Sequence, residues 1–150
     1  MGVAKALKEV YPDVYIAAVE PSESAVMSGK ESAEHEIFGI GDGFIPAIVS
    51  DNKGGINKII DEVICIKSID ARDQAKEIED KFGYCVGISS GAHYLAAKQL
   101  ARRFKTVVTI FSDGYVKYAG QGLQHCKSPG CKHEDTEKDL MNLASTLKKP

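Results

Sequence analysis

The chain has 150 residues, 43% of them hydrophobic and 27% charged, enough for one globular domain that buries about two-thirds of its unfolded surface. A formal net charge of −2 leaves no basic footprint for nucleic acid, and no apolar run reaches the ~20 residues of a membrane span. The opening Met1-Gly2-Val3-Ala4-Lys5-Ala6-Leu7 reads as an amphipathic helix rather than a signal segment, and Ala6 stands where a myristoylation signal needs Ser or Thr. A cytoplasmic protein with reduced cysteines is therefore expected.

In chain order, Val3, Leu7, Val10 and Tyr11 share one face of a first predicted helix, which Pro12-Asp13 ends. Starting on a helix with no preceding strand suggests that something upstream is missing. Val14-Tyr15-Ile16-Ala17-Ala18-Val19 is an apolar run of strand length, the kind buried on both faces of a parallel sheet, and Glu20-Pro21-Ser22 closes it. From about Ser22 to Ile60 the pattern is irregular, a length of connection that usually carries function. Asp61 to Ile66 is the second strand. Ser68 is placed to cap the next helix, whose Ala71, Ala75, Ile78 and Phe82 line one face before Gly83 stops it.

The run Val86-Gly87-Ile88-Ser89-Ser90-Gly91-Ala92 then opens a helix with Ala92, Leu95, Ala96 and Leu100 on one face. Thr106 to Phe111, β-branched through its centre, reads as the strongest strand. It delivers Ser112-Asp113-Gly114-Tyr115 to the end where open α/β sheets build ligand sites. A last helix starts near Thr136 to Asp139 with capping-box spacing and buries Leu140, Leu143, Ala144 and Leu147. The alternation predicts an α/β fold, a mainly parallel sheet with flanking helices.

Gly87 to Gly91 admits three roles: a helix cap, a serine nucleophile or a cofactor-binding serine. A helix N-terminus carries unpaired N–H groups and about half a positive charge, and flanking glycines let another group approach the backbone. As G-x-S-x-G it fits a nucleophile elbow, with Ser89, then Asp113, then His125 or His133 in hydrolase order. The short run before Ser89 leaves little strand to feed such an elbow. Gly39-Ile40-Gly41-Asp42-Gly43 is half a dinucleotide fingerprint, but Phe44 occupies the third glycine's place, so a glycine-rich hinge is the preferred reading.

Cys65 and Cys85 lie in apolar runs and read as small core residues. His125, Cys126, Cys131 and His133 offer four zinc-type ligands around a Pro129-Gly130 turn, but the spacing misses the usual zinc patterns. A polar loop with reduced thiols is preferred there, and no metal is expected. His35 stands between glutamates as a solvated loop residue. No lysine sits alone in an apolar setting, as a Schiff-base lysine would.

Taken together, Val19-Glu20-Pro21-Ser22-Glu23-Ser24-Ala25-Val26, His35-Glu36-Ile37-Phe38 with Gly39 to Pro46, Asp61 to Ile64 and Val86 to Ala92 resemble cysteine synthase, or O-acetylserine sulfhydrylase. That family belongs to the tryptophan-synthase-β group of pyridoxal-phosphate enzymes. The match runs in order from Gly2 to about Tyr118, dividing the chain into a cysteine-synthase-like segment, 1–118, and a divergent tail, 119–150.

The resemblance implies a fold like the C-terminal large domain of a fold-type II pyridoxal-phosphate enzyme. It implies that Ser89 hydrogen-bonds the cofactor's pyridine nitrogen, and that Gly39, Gly41, Gly43, Phe44 and Asp113 line the cleft. A hydroxyl partner does not force a protonated ring, so a moderate electron sink is expected. Ser112 to Tyr118 corresponds to the family's PDSGERY-like loop, with Ser112 replacing Pro and Asp113 and Tyr118 in register; Asp42 replaces a small apolar residue. The family's Schiff-base lysine, asparagine loop and phosphate loop all precede the first residue of this chain.

The expectation is therefore part of a cysteine synthase, making L-cysteine from O-acetylserine and sulfide, with no catalytic residue of its own and no activity alone. The implied partners are a second copy or a missing N-terminal half, and serine acetyltransferase. The alternatives are a non-catalytic decoy module of the cysteine synthase complex, or a small serine hydrolase using Ser89.

Overall fold

The computed structural model describes residues 1–51, 53–115, 118 and 123. Helix α1 (Gly2–Val10) leads into strand β1 (Ala17–Pro21), and after a long connection come strand β2 (Glu62–Ile66), helix α2 (Ser68–Phe82) and helix α3 (Ile88–Leu100). The two strands pair in parallel, Ala17 opposite Glu62 through Pro21 opposite Ile66. The pairing begins where Ile16 and Asp61 clasp each other: each backbone N–H reaches the other residue, at 2.8 Å in both directions. The Ile16 N–H, and after it the Lys8 ammonium 3.0 Å away, hold the Asp61 carboxyl below the usual carboxylate range. Proline at the last position of β1 costs the ladder little, because no further rung follows it.

The core lies where β2, α2 and α3 meet. Ile64, Ile66, Ala71, Ala75, Ile78, Val86, Ile88, Ala92 and Ala96 are buried there together. Burying a side chain such as Ile78 contributes roughly 1.5–3 kcal/mol. Helices α2 and α3 approach closely because Gly91 has no side chain: a Cβ there would overlap the carbonyl oxygen of Ala71 and lie 2.9 Å from the Ala75 nitrogen. The last glycine of Gly87-Ile88-Ser89-Ser90-Gly91 is thus explained by packing.

The connection between β1 and β2 is irregular, as expected, apart from two short 3-10 turns (Ser22–Ser24, Val26–Ser28) and a bridge between Ser50 and Ile56. It is anchored from within. The fully buried Glu20 carboxylate accepts the N–H groups of Met27 (2.8 Å) and Ser28 (3.0 Å) and the Ser28 hydroxyl at 2.5 Å. Arg72 of α2 pairs with Glu36 at 3.0 Å.

Several expectations are corrected. The first strand runs over Ala17–Pro21, not from Val14, and Glu20 is a buried member of it. Ser68 does not cap α2. Its own N–H is capped by Glu23 Oε1 at 2.8 Å, while its hydroxyl accepts the Glu36 N–H. Phe82 is exposed, unlike Ala71, Ala75 and Ile78 of the same face. The apolar face of α1 is exposed at Val3, Leu7, Val10 and Tyr11; only Ala4 of that helix is buried.

Thr106 to Phe111 forms no strand, since it has no ladder partner among the described residues, and Val108 is 86% exposed. The segment is instead tied to α3, with the Ile110 carbonyl 3.1 Å from His93 Nδ1 and Phe111 packed near Tyr94. Cys65 is a free, half-buried thiol, whereas Cys85 is disulfide-bonded and not reduced. The predicted last helix, with Leu140, Leu143, Ala144 and Leu147, lies outside the described residues. No helix among those described is long and apolar enough to cross a membrane.

Candidate functional site

Gly83 ends α2 in the left-handed conformation (φ 71°), its N–H bonded to the Glu79 carbonyl, and the chain turns at once toward α3. On the way, Val86 forms an antiparallel bridge with Gly114. The Gly87 N–H donates to the Asp113 carbonyl at 3.0 Å, and the Tyr115 N–H donates to the Cys85 carbonyl at 3.3 Å. These bonds lay the 112–115 segment across the start of α3. Gly87 is needed for that contact, because a Cβ would overlap Asp113 Oδ1 and the Tyr118 ring.

Ser89 sits in the first turn of α3, only 3% exposed. Its hydroxyl donates to Asp113 Oδ1 at 3.1 Å and lies 3.3 Å from Ser112 Oγ. The Tyr118 hydroxyl donates to the other carboxylate oxygen, Asp113 Oδ2, at 2.9 Å. Burial first, and the neighbouring Asp113 second, push the Tyr118 phenol up to about 12. Phe38 stacks on Tyr118 (centroids 6.2 Å apart) and so brings the start of the glycine loop to this group. Ser90 is the contrasting neighbour: its hydroxyl is wholly buried and has no hydrogen-bond partner among the described residues.

The glycine loop is held by a residue that sequence reasoning treated as solvated. His35 Nδ1 accepts the Ile37 N–H at 3.2 Å, which leaves the ring hydrogen on Nε2, 2.8 Å from the Gly41 carbonyl. Gly41 has φ 77°, and Pro21 lies 2.6 Å from where its Cβ would be, so both conformation and space require glycine. Gly39 and Gly43 also have positive φ, and Phe44 is exposed. No local pattern marks His35 for this role, because its partner is the carbonyl of a residue six positions on.

Among the described residues no hydrolase triad is assembled. In a triad the carboxylate orients a histidine, which in turn contacts the serine. Here Asp113 contacts Ser89 directly and Tyr118 fills its second oxygen. His125 and His133, with the possible zinc ligands Cys126 and Cys131, lie outside the described residues, and those described contain no cluster of metal-ligand type. A separate cavity of about 480 Å³ opens beside α2, lined by Cys65, Lys67, Asp70, Gln74, Leu95 and Gln99 among others. It includes none of Ser89, Asp113 or Tyr118 and is distinct from this group.

A parallel pair of strands with flanking helices, and a serine at a helix start facing the 112–115 segment, define an α/β class of fold. No family model matches the chain. The chain is 42% identical over 124 residues to cysteine synthase B of Campylobacter jejuni, covering 81% of this chain and 39% of that protein. It is 37% identical over 125 residues to the cysteine synthase of Staphylococcus aureus, covering 81% and 38%.

Among solved structures, O-acetylserine sulfhydrylase isoform 3 from Entamoeba histolytica superposes with a TM-score of 0.74 at 35% identity, covering 89% of this chain and 39% of that one. The O-acetylserine-dependent cystathionine β-synthase of Helicobacter pylori gives 0.72 at 35% identity, covering 83% and 39%. The chain is thus homologous to the cysteine synthases, and it spans about two fifths of the length of the relatives it matches.

Proposed function

We propose that this chain provides the pyridine-side wall of a cysteine synthase, the enzyme that replaces the acetate of O-acetylserine by sulfide to give L-cysteine. The observation that carries the reading is Ser89: a neutral hydroxyl, nearly closed off from water, fixed by Asp113 at the start of α3. Its chemistry suits the ring nitrogen of pyridoxal phosphate better than it suits a phosphate or a carboxylate, which would call for cationic donors. When bound, that group supplies the electron sink for β-replacement.

In this reading the chain's own residues bind and orient. Ser89 holds the ring edge, Asp113 and Tyr118 fix Ser89, and Gly39, Gly41, Gly43 and Phe44 line the cleft. His35 shapes that loop by bridging Ile37 and Gly41. The reading assigns no covalent anchor to this chain. It divides the polypeptide into the enzyme-like segment 1–118 and the tail 119–150, and it places the protein in the cytoplasm.

The exposed Val3, Val10 and Tyr11 of α1 support a covering surface, from a second copy or from the part of the relatives' length that this chain does not span. Serine acetyltransferase is the other partner the reading carries. The test is equilibrium binding of pyridoxal phosphate to the chain and to Ser89→Ala. Loss of one buried hydrogen bond, about 1 kcal/mol, predicts several-fold weaker binding by the variant. Equal affinities, or no binding by the parent, overturn the reading.

A further inference from the structure

The chain has four cysteines, at 65, 85, 126 and 131. Cys85 is disulfide-bonded and Cys65 is a free thiol. Within one chain that leaves Cys126 or Cys131, both outside the described residues, as the partner of Cys85. Both are within reach. Leu123 is buried in the same core cluster as Cys85, Val86, Tyr115 and Tyr118. An extended chain spans about 3.3–3.6 Å per residue, so Cys126 can lie about 10 Å from Leu123 and Cys131 about 26 Å. The Cys85 carbonyl holds the Tyr115 N–H, one residue before the bridge from Val86 to Gly114. A cross-link at Cys85 therefore fastens the tail to the backbone bonds that lay the 112–115 segment across the start of α3.

We propose that Cys85, Cys126 and Cys131 form one thiol–disulfide exchange unit, which ties the 119–150 tail to these bonds and releases it. Only one tail cysteine can hold Cys85 at a time, which leaves the other as a thiol. Pro129-Gly130 between them favours a tight turn that brings the two tail sulfurs together. Lys127 and Lys132 directly follow the two cysteines, and a cationic neighbour favours the thiolate, the attacking form. In the exchange the free tail thiolate attacks the tail sulfur of the Cys85 bond. A Cys126–Cys131 bond forms and the Cys85 bond breaks; its electron pair leaves on the Cys85 sulfur, which takes up the proton that the attacker lost. No oxidant or reductant is consumed. The first bond is made by a small-molecule disulfide, oxidised glutathione, which is reduced to two thiols as two protein thiols are oxidised. In the cytoplasm, where the reading above places the chain, such a bond is transient and suits redox sensing. The proposal stands apart from the cofactor reading.

Lys127 separates Cys126 from Cys131, so trypsin places all four cysteines on different peptides. The full chain is equilibrated in glutathione buffers from reducing to oxidising, quenched with acid, alkylated and mapped by mass spectrometry without reduction. Two linked forms are expected to share the population: Cys85 with a tail cysteine, and Cys126 with Cys131. Cys65 should be alkylated throughout. Of Cys126→Ser and Cys131→Ser, at least one should keep the Cys85 link and then release it only to added thiol. Hydrogen exchange supplies a second readout. The Gly87 and Tyr115 amides of the parent are expected to exchange at least about tenfold faster once Cys85 is reduced.

Cys85 alkylated at every glutathione ratio overturns the proposal, as does a link from Cys85 to Cys65 or to a second copy. A Cys85 link with no Cys126–Cys131 form at any ratio overturns the exchange. Equal amide exchange in the oxidised and reduced chain overturns the tie to the 85–87 and 113–115 bonds. The parent chain alone carries each of these outcomes, whether or not the serine variants fold.

Discussion

Helices α1 and α2 carry apolar residues at the same helical spacing but end in opposite surroundings. In α2, Ala71, Ala75 and Ile78 are sealed against α3 and the sheet; at α1, Val3, Leu7, Val10 and Tyr11 face solvent. The difference lies in the partner. α2 has a neighbour whose Gly91 lets two backbones meet, whereas the described residues bury only Ala4 of α1 and leave its apolar face open. Periodicity specifies which face of a helix wants burial, and it is silent about what will bury it. Thr106 to Phe111 makes the same point for strands: β-branched residues favour a ladder, but a ladder needs a second strand.

Substitutions should separate the two regions cleanly. Gly91→Val drives a branched side chain into the α2 backbone and is expected to cost about 3 kcal/mol or more, read as loss of the cooperative urea transition. Ile78→Ala leaves a cavity under α2 and should cost about 3 kcal/mol in the same measurement.

Raising the pH probes the edge of this core. Tyr118 stays protonated up to about 12 in the folded chain against 10.0 for an ordinary phenol. Its contribution to stability is therefore complete below 10 and is lost as pH climbs through 12. The urea midpoint should fall over that interval, and less so in Tyr118→Phe. Ser90→Ala removes a buried hydroxyl with no partner among the described residues and should raise stability by about 1 kcal/mol; a loss instead would mean that the hydroxyl has a partner. Leu7→Ser on the open face of α1 should change stability by less than about 0.5 kcal/mol while reducing self-association in light scattering. A large loss would show that α1 is covered in solution.

Much of this was legible in the chain. The α2 face at Ala71, Ala75 and Ile78, its glycine stop and the parallel pairing all follow from local spacing. What was not legible depends on contacts far apart in sequence. Glu20 looked like a strand terminator and is a buried anchor for backbone seven and eight residues on. Ser68 looked like a cap, and the cap is Glu23, 45 positions earlier. His35 looked solvated because its neighbours are acidic, yet it bridges its own loop. Asp113 reads in the sequence as a hydrolase acid or a lining residue; its hydrogen bond from Ser89 depends on a contact 24 positions apart.

The backbone ties between residues 85–87 and 113–115 have a dynamic consequence. The Gly87 and Tyr115 amides point to opposite segments of one small clasp, so neither can open without releasing the other. In hydrogen exchange the two should share a single opening free energy, distinct from that of the His35 loop. Any hinge motion at the start of α3 would then carry Asp113 with it. The serine and its carboxylate would travel as one rigid piece, keeping their mutual orientation.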